Sequence, residues 1–187
     1  PMSTATGPPV AEDAFFRGAT LQICSSPDLE EALRRALEFV GRFLPLDAIL
    51  VLTHDPARAA AQVLAGVIGR DGWDGSEPPR QLEAVDLQTR VRLRRQGTLV
   101  DAANPVRVRN RPGRDEVYRT AERYLAPRGL ARFSLLAVRL DIAADYQGLL
   151  LLAAAGHDAY RDEHAVLAAV LSGPVALAVS SARRHQE

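Results

Sequence analysis

Phe133-Ser-Leu-Leu-Ala-Val-Arg-Leu140 and Tyr146-Gln-Gly-Leu-Leu-Leu-Leu-Ala-Ala154 decide the fold of this chain. Each is an apolar run of strand length, and the polar stretch Asp141 to Asp145 between them reads as a turn. Both strands are expected at the centre of an antiparallel sheet. Toward the N-terminus, Ala48-Ile-Leu-Val-Leu-Thr53 is a third such run. His54-Asp55-Pro56 joins it to a fourth at Ala60 to Ile68, which makes a hairpin. The longest apolar stretch, Gly148 to Ala155, falls well short of the about eighteen residues a membrane span requires, so no membrane helix is expected.

Helical periodicity flanks these strands. From Ala11 to Cys24, the residues Phe16, Ala19 and Ile23 recur at helical spacing. Ser25-Ser26-Pro27-Asp28 then predicts a new helix with a serine N-cap, proline in the first helical position and an acid in the first turn. That helix carries the stripe Leu29, Leu33, Leu37, Val40 and Leu44 opposite Glu30, Glu31, Arg34, Arg35 and Arg42, and Pro45 stops it. Beyond Gly156, a helix from about Asp162 carries Val166, Leu167, Val170, Leu171, Leu177 and Ala178. It runs past Gly173-Pro174 into Arg183-Arg-His-Gln-Glu187.

The middle is mixed. Gly69 to Pro79 is a loop with Trp73 as its one large apolar residue. Asp86 to Gln96 reads as a short helix, Thr98-Leu-Val100 and Val106-Arg-Val-Arg109 as short extended pieces, and Arg114 to Leu125 as a helix with Val117, Ala121 and Leu125 on one side. The order of elements predicts one α+β domain over residues 11–187, an antiparallel sheet with its helices on one face. Residues 1–10 form a disordered tail in which Pro1, ahead of Met2, reads as a cloning residue.

Composition narrows the function classes. A chain of 187 residues with 47% hydrophobic and 25% charged side chains suits one soluble domain. The net charge of zero offers no attraction for a polyanion, which disfavours nucleic acid as a partner. All 23 basic residues are arginine, so a Walker A phosphate loop, which needs lysine, is absent. A single cysteine, Cys24, excludes an internal disulfide or a multi-cysteine metal site and fits a reducing cytoplasm. Cys24 suits a small apolar helix residue better than a redox sensor. His157-Asp158 and Glu163-His164 suit surface and helix-start positions better than a metal or acid–base pair.

Three runs carry a family resemblance: Phe15-Phe-Arg-Gly-Ala-Thr-Leu-Gln-Ile-Cys-Ser-Ser-Pro-Asp-Leu-Glu-Glu-Ala-Leu33, Val106-Arg-Val-Arg-Asn-Arg-Pro112 and Gly156-His-Asp-Ala-Tyr-Arg-Asp-Glu-His-Ala-Val-Leu167. Together they resemble GAF domains, and more narrowly the N-terminal GAF domains of bacterial sigma-54-dependent regulators, in which an AAA+ ATPase and a Fis-type helix-turn-helix follow. The resemblance implies a PAS/profilin-like sheet of about five or six antiparallel strands, a ligand-sized cavity on one face and terminal helices on the other. It also implies a homodimer through those helices and a signal-input role upstream of the ATPase. It names no cofactor: the cyclic-nucleotide signature of Asn, Lys, Phe, Asp and Glu is missing, no cysteine stands at a bilin-attachment position, and no haem signature is present.

The candidate ligand residues are Trp73, as a lid from its loop, Tyr118 and Tyr124 on the middle helix, and Arg107 and Arg109. Arg107, Arg109 and Arg111 alternate along an extended segment, which would put them on one side to clamp a carboxylate or phosphate. The expectation is a non-enzymatic sensory domain that takes a small molecule or a partner. A ligandless structural dimerisation domain is the alternative.

Overall fold

The computed structural model describes residues 9–55, 60–69, 105–114, 116–143 and 146–186. Helices α1 (Pro9–Cys24) and α2 (Leu29–Val40) lead into the hairpin β1 (Ala48–Asp55) and β2 (Ala60–Ile68). Strand β3 (Val106–Arg109) and helix α3 (Glu116–Leu125), with a 3-10 turn at Ala126–Arg128, precede β4 (Phe133–Ala143) and β5 (Tyr146–Ala155). Helices α4 (Asp162–Val170) and α5 (Ser172–Gln186) close the described chain. The expected helix at Asp86 to Gln96 and strand at Thr98 to Val100 lie outside the described residues.

The five described strands form one antiparallel sheet in the order β2-β1-β5-β4-β3. The two deciding runs are β4 and β5, and β5 is its middle strand. Leu150 to Ala154 are buried because alternate residues face opposite covers. On one face Ile49, Val51, Leu136, Val138, Leu150 and Leu152 meet Phe15, Leu33, Val40, Leu171, Val175 and Val179 from the terminal helices. On the other face Leu50, Leu52, Leu135, Ala137 and Leu151 meet Tyr118, Ala121, Tyr124 and Leu125 of α3. Helices therefore cover both faces, not one. Leucines stand on both sides of these strands, and leaving either side wet would forfeit about 1.5–3 kcal/mol per large side chain.

Several local readings shift. In α1 it is Phe15 that shares a phase with Ala19 and Ile23 and is fully buried, while Phe16 is 45% exposed. The helix begins at Pro9, inside the expected tail. The N-cap of α2 is Asp28, whose carboxylate accepts the Glu30 N–H at 3.0 Å, and Ser26 instead accepts the Asp28 N–H through its hydroxyl. Gly41 caps α2 well before Pro45. Helix α3 starts at Glu116, later than Arg114.

The C-terminal helical run is two helices meeting at Leu171. The break puts Pro174 in the first turn of α5, where a missing N–H loses no helical bond. The segment Asp162–His185 is long and apolar enough, with mean hydropathy 1.9, to cross a membrane. Ala168, Leu171, Val175 and Val179 of this segment pack in the core, and 33% of its apolar window is buried.

Candidate functional site

Strand register assigns Arg107 and Arg109 to a face. Arg107 lies opposite Ala137 and Arg109 opposite Leu135, both of which point toward α3, whereas Val106 and Val108 pack on the terminal-helix side. Both arginines therefore share the α3 face with Tyr118 and Tyr124. Four of the five candidates are brought to one face; Trp73 lies outside the described residues. Arg111 does not join the row. It falls beyond β3 and turns to Asp158.

The two tyrosines are held by the fold itself. Tyr118 stacks on Phe133 with ring centroids 4.6 Å apart and planes 9° apart, and its hydroxyl donates to the Phe133 carbonyl at 2.6 Å. Burial, and then the charge of Glu122, push the Tyr118 hydroxyl's pKa up, so it stays a neutral donor. Tyr124 carries the Arg128 guanidinium 3.7 Å above its ring. Across the face, its hydroxyl reaches β2 at Gly66, where an added Cβ would stand 3.0 Å away. These contacts explain the burial of both rings without a ligand.

The polar end of this face lies along β3 and β4. Residues 135, 137 and 139 of β4 alternate, so Arg139 follows Leu135 and Ala137 onto the α3 side, diagonal to Arg107. Sequence reasoning missed Arg139 because a lone arginine in an apolar strand reads as a solvent-facing residue until the register assigns its face. Its Nε donates to Asp141 at 2.8 Å. The Arg107 Nε is buried without a hydrogen-bond partner, and no ion pair to Arg107 is found among the described residues. Arg109 donates through Nη1 to the Val108 carbonyl.

Directly after Arg109, the chain clasps the start of the C-terminal helices. The Asn110 side chain donates to the Tyr160 carbonyl at 2.8 Å and accepts the Tyr160 N–H at 3.1 Å. The main-chain Asp158 N–H donates to the Asn110 carbonyl, and Arg111 forks onto the Asp158 carboxylate at 2.5 to 3.2 Å. That hydrogen bond holds the Asp158 carboxyl below the usual range. Asp158 takes a left-handed backbone, φ 60°, which aspartate tolerates better than most residues. From β4, the buried Ser134 hydroxyl donates to the Gly156 carbonyl at 2.8 Å and accepts the Ala159 N–H at 3.0 Å.

His164 and Cys24 have structural partners. His164 Nδ1 accepts the Arg161 N–H at 3.0 Å at the start of α4. Cys24 is exposed, with its Sγ 4.0 Å from the Pro174 carbonyl, where the end of α1 meets the start of α5. Phe16, Leu21, Val166 and Leu177, on the outer sides of α1, α4 and α5, are 45–68% exposed. No group of His, Cys, Asp or Glu suited to hold a metal is found among the described residues.

No protein-family model matches the sequence, and no curated protein matches it significantly. Solved structures do match in fold. The phycoerythrobilin-bound GAF domain from a cyanobacterial phytochrome superposes with a TM-score of 0.59 at 16% identity, covering 94% of this chain and 98% of that one. GAF domains from the phosphoenolpyruvate-protein phosphotransferases of Coxiella burnetii and Acinetobacter each give 0.58, at 15% and 14% identity. They cover 94% and 98% of this chain, and 96% and 97% of their own. With its five-stranded antiparallel sheet covered by helices on both faces, this chain has the fold of a GAF domain.

Proposed function

We propose that this chain is the signal-input domain of a bacterial sigma-54-dependent transcription regulator, a cytoplasmic and non-enzymatic module. A small molecule on the α3 face biases the packing of the terminal helices, and that packing controls a downstream AAA+ ATPase and its DNA-binding domain. The observation that carries this reading is the clasp. The strand bearing Arg107 and Arg109 runs without interruption into Asn110 and Arg111, which hold the loop leading into α4. A displacement of β3 is therefore passed to the helices by hydrogen bonds.

The exposed apolar side chains supply the output surface. Leu21 precedes Cys24 by one turn in α1, and Leu177 follows Pro174 by one turn in α5, while Cys24 and Pro174 touch. Both leucines are exposed, at 68% and 56%. A second copy of the chain covers them in this reading, which makes the protein a homodimer.

Light scattering on the purified chain and on the double variant Leu21→Glu, Leu177→Glu tests the dimer. A wild-type dimer converted to a folded monomer supports it, and a wild-type monomer sinks it. A thermal-denaturation screen against nucleotides, amino acids and organic acids tests the sensory half, since a ligand of the native state raises the midpoint. The close packing of Tyr118 and Tyr124 favours one rival, a ligandless dimerisation domain. That rival predicts a dimer with no shift from any compound.

A further inference from the structure

We infer that Arg107, with Arg139 beside it, forms an oxyanion-binding corner on the α3 face, and that the molecule sensed there carries a carboxylate or phosphate group. The inference rests on the sensory reading above and adds the chemical class of its ligand. Three observations carry it. The Arg107 Nε is buried and unpartnered. A guanidinium N–H withdrawn from water without an acceptor is among the more costly arrangements a fold can hold, and an acceptor supplied by a ligand removes that cost.

The second observation is the neighbourhood. Arg139 is diagonal to Arg107 on the same face, within reach for a long side chain, and its own side chain is 19% exposed. Asp141 engages the Arg139 Nε, which, among the described residues, leaves a cationic excess at the corner once Arg107 is counted. The third is shape: Arg107 faces Ala137 across the β3–β4 pair, so the residue beside it on β4 brings only a methyl group. An oxyanion matches such a corner, because the planar fork of arginine pairs with two oxygens at once.

The test compares the 187-residue wild type with Arg107→Gln, Arg107→Met and, as a control on the opposite side of the sheet, Arg42→Gln. Thermal midpoints are read at constant ionic strength with inorganic phosphate, succinate, neutral succinamide and a panel of uncharged nucleosides and sugars. The expected result is a rise with phosphate or succinate and none with succinamide, kept in Arg42→Gln and lost in both Arg107 variants. Affinity for the anion should fall at least tenfold in Arg107→Gln. Which of the two anions acts separates phosphate from carboxylate as the recognised group. Arg107→Met should also raise the ligand-free midpoint, since it removes the unpartnered donor, and this readout does not depend on finding a ligand.

An equal anion shift in Arg107→Gln, or a lower ligand-free midpoint in Arg107→Met, overturns the inference. A shift from uncharged compounds alone, unchanged in the Arg107 variants, overturns it while keeping the sensory reading. Silence across the whole panel overturns both.

Discussion

The Asn110 side chain bonds the main chain of Tyr160 in both directions, giving to its carbonyl at 2.8 Å and taking from its N–H at 3.1 Å. The amide thereby acts as one more rung of sheet ladder between the end of β3 and the segment leading into α4. Asn110→Ala removes both bonds and leaves two partly buried main-chain groups unmet, for an expected loss of about 2–3 kcal/mol in chemical denaturation. Asn110→Asp keeps the acceptor and loses the donor, so it should fall between. If hydrogen exchange in Asp162 to Leu171 stays at wild-type rates in Asn110→Ala, the clasp does not restrain the helix.

Two buried tyrosines should respond oppositely to the same change. The Tyr118 hydroxyl is bonded to the Phe133 carbonyl, and Tyr118→Phe should cost about 1–2 kcal/mol by leaving that acceptor unmet. The Tyr160 hydroxyl is buried with no partner, and Tyr160→Phe should stabilise by about 1 kcal/mol. Urea midpoints at neutral pH decide the matter, and equal signs for the two variants would contradict the hydrogen-bond assignment.

Tyr160 also sets an alkaline limb. Burial, and then the nearby Asp47 carboxylate, push its pKa up in the folded chain, while the unfolded chain ionises near about 10. The raised folded value means its contribution is full below about pH 10 and is lost as pH climbs toward the folded pKa. The stability of Tyr160→Phe should therefore fall less steeply above pH 10 than that of the wild type.

Asp158 governs the acid side. Its hydrogen bond from Arg111 lowers its folded pKa, so the contribution is present above the ordinary aspartate value of about 3.9 and vanishes as pH falls through the lower folded value. Asp158→Asn should flatten the stability profile below about pH 4 and leave the alkaline limb unchanged. The pair is exposed, so raising salt should shrink the difference between the two proteins.

Gly66 is where α3 meets the far edge of the sheet. A Cβ there would lie 2.7 Å from Leu50 Cδ2 and 3.0 Å from the Tyr124 hydroxyl, so Gly66→Ala should cost about 1–3 kcal/mol through overpacking. Adding Leu50→Val should recover part of that loss, a coupling that a double-mutant cycle measures.

Among the described residues, the sequence alone determined the strands, most of the helices and the α+β class. A period of two and a period near 3.6 are local properties, and β1, β2, β4 and β5 announce themselves by unbroken apolar runs. It also pointed to Arg107 and Arg109, because alternation along an extended segment places them together whatever the sheet does. Which of two adjacent phenylalanines is core was not legible: Phe15 and Phe16 are chemically equal, and only the meeting of α1 with α2 and the sheet selects Phe15.

Tertiary structure likewise decided that α3 covers the second face, that Arg139 stands beside Arg107, and that Arg111 leaves their row to bind Asp158, which is 47 residues away. Each depends on register or on a contact between distant segments. A side-chain pattern states which residues share a face, but the face a strand presents, and what lies across from it, is set only when its neighbours hydrogen-bond to it.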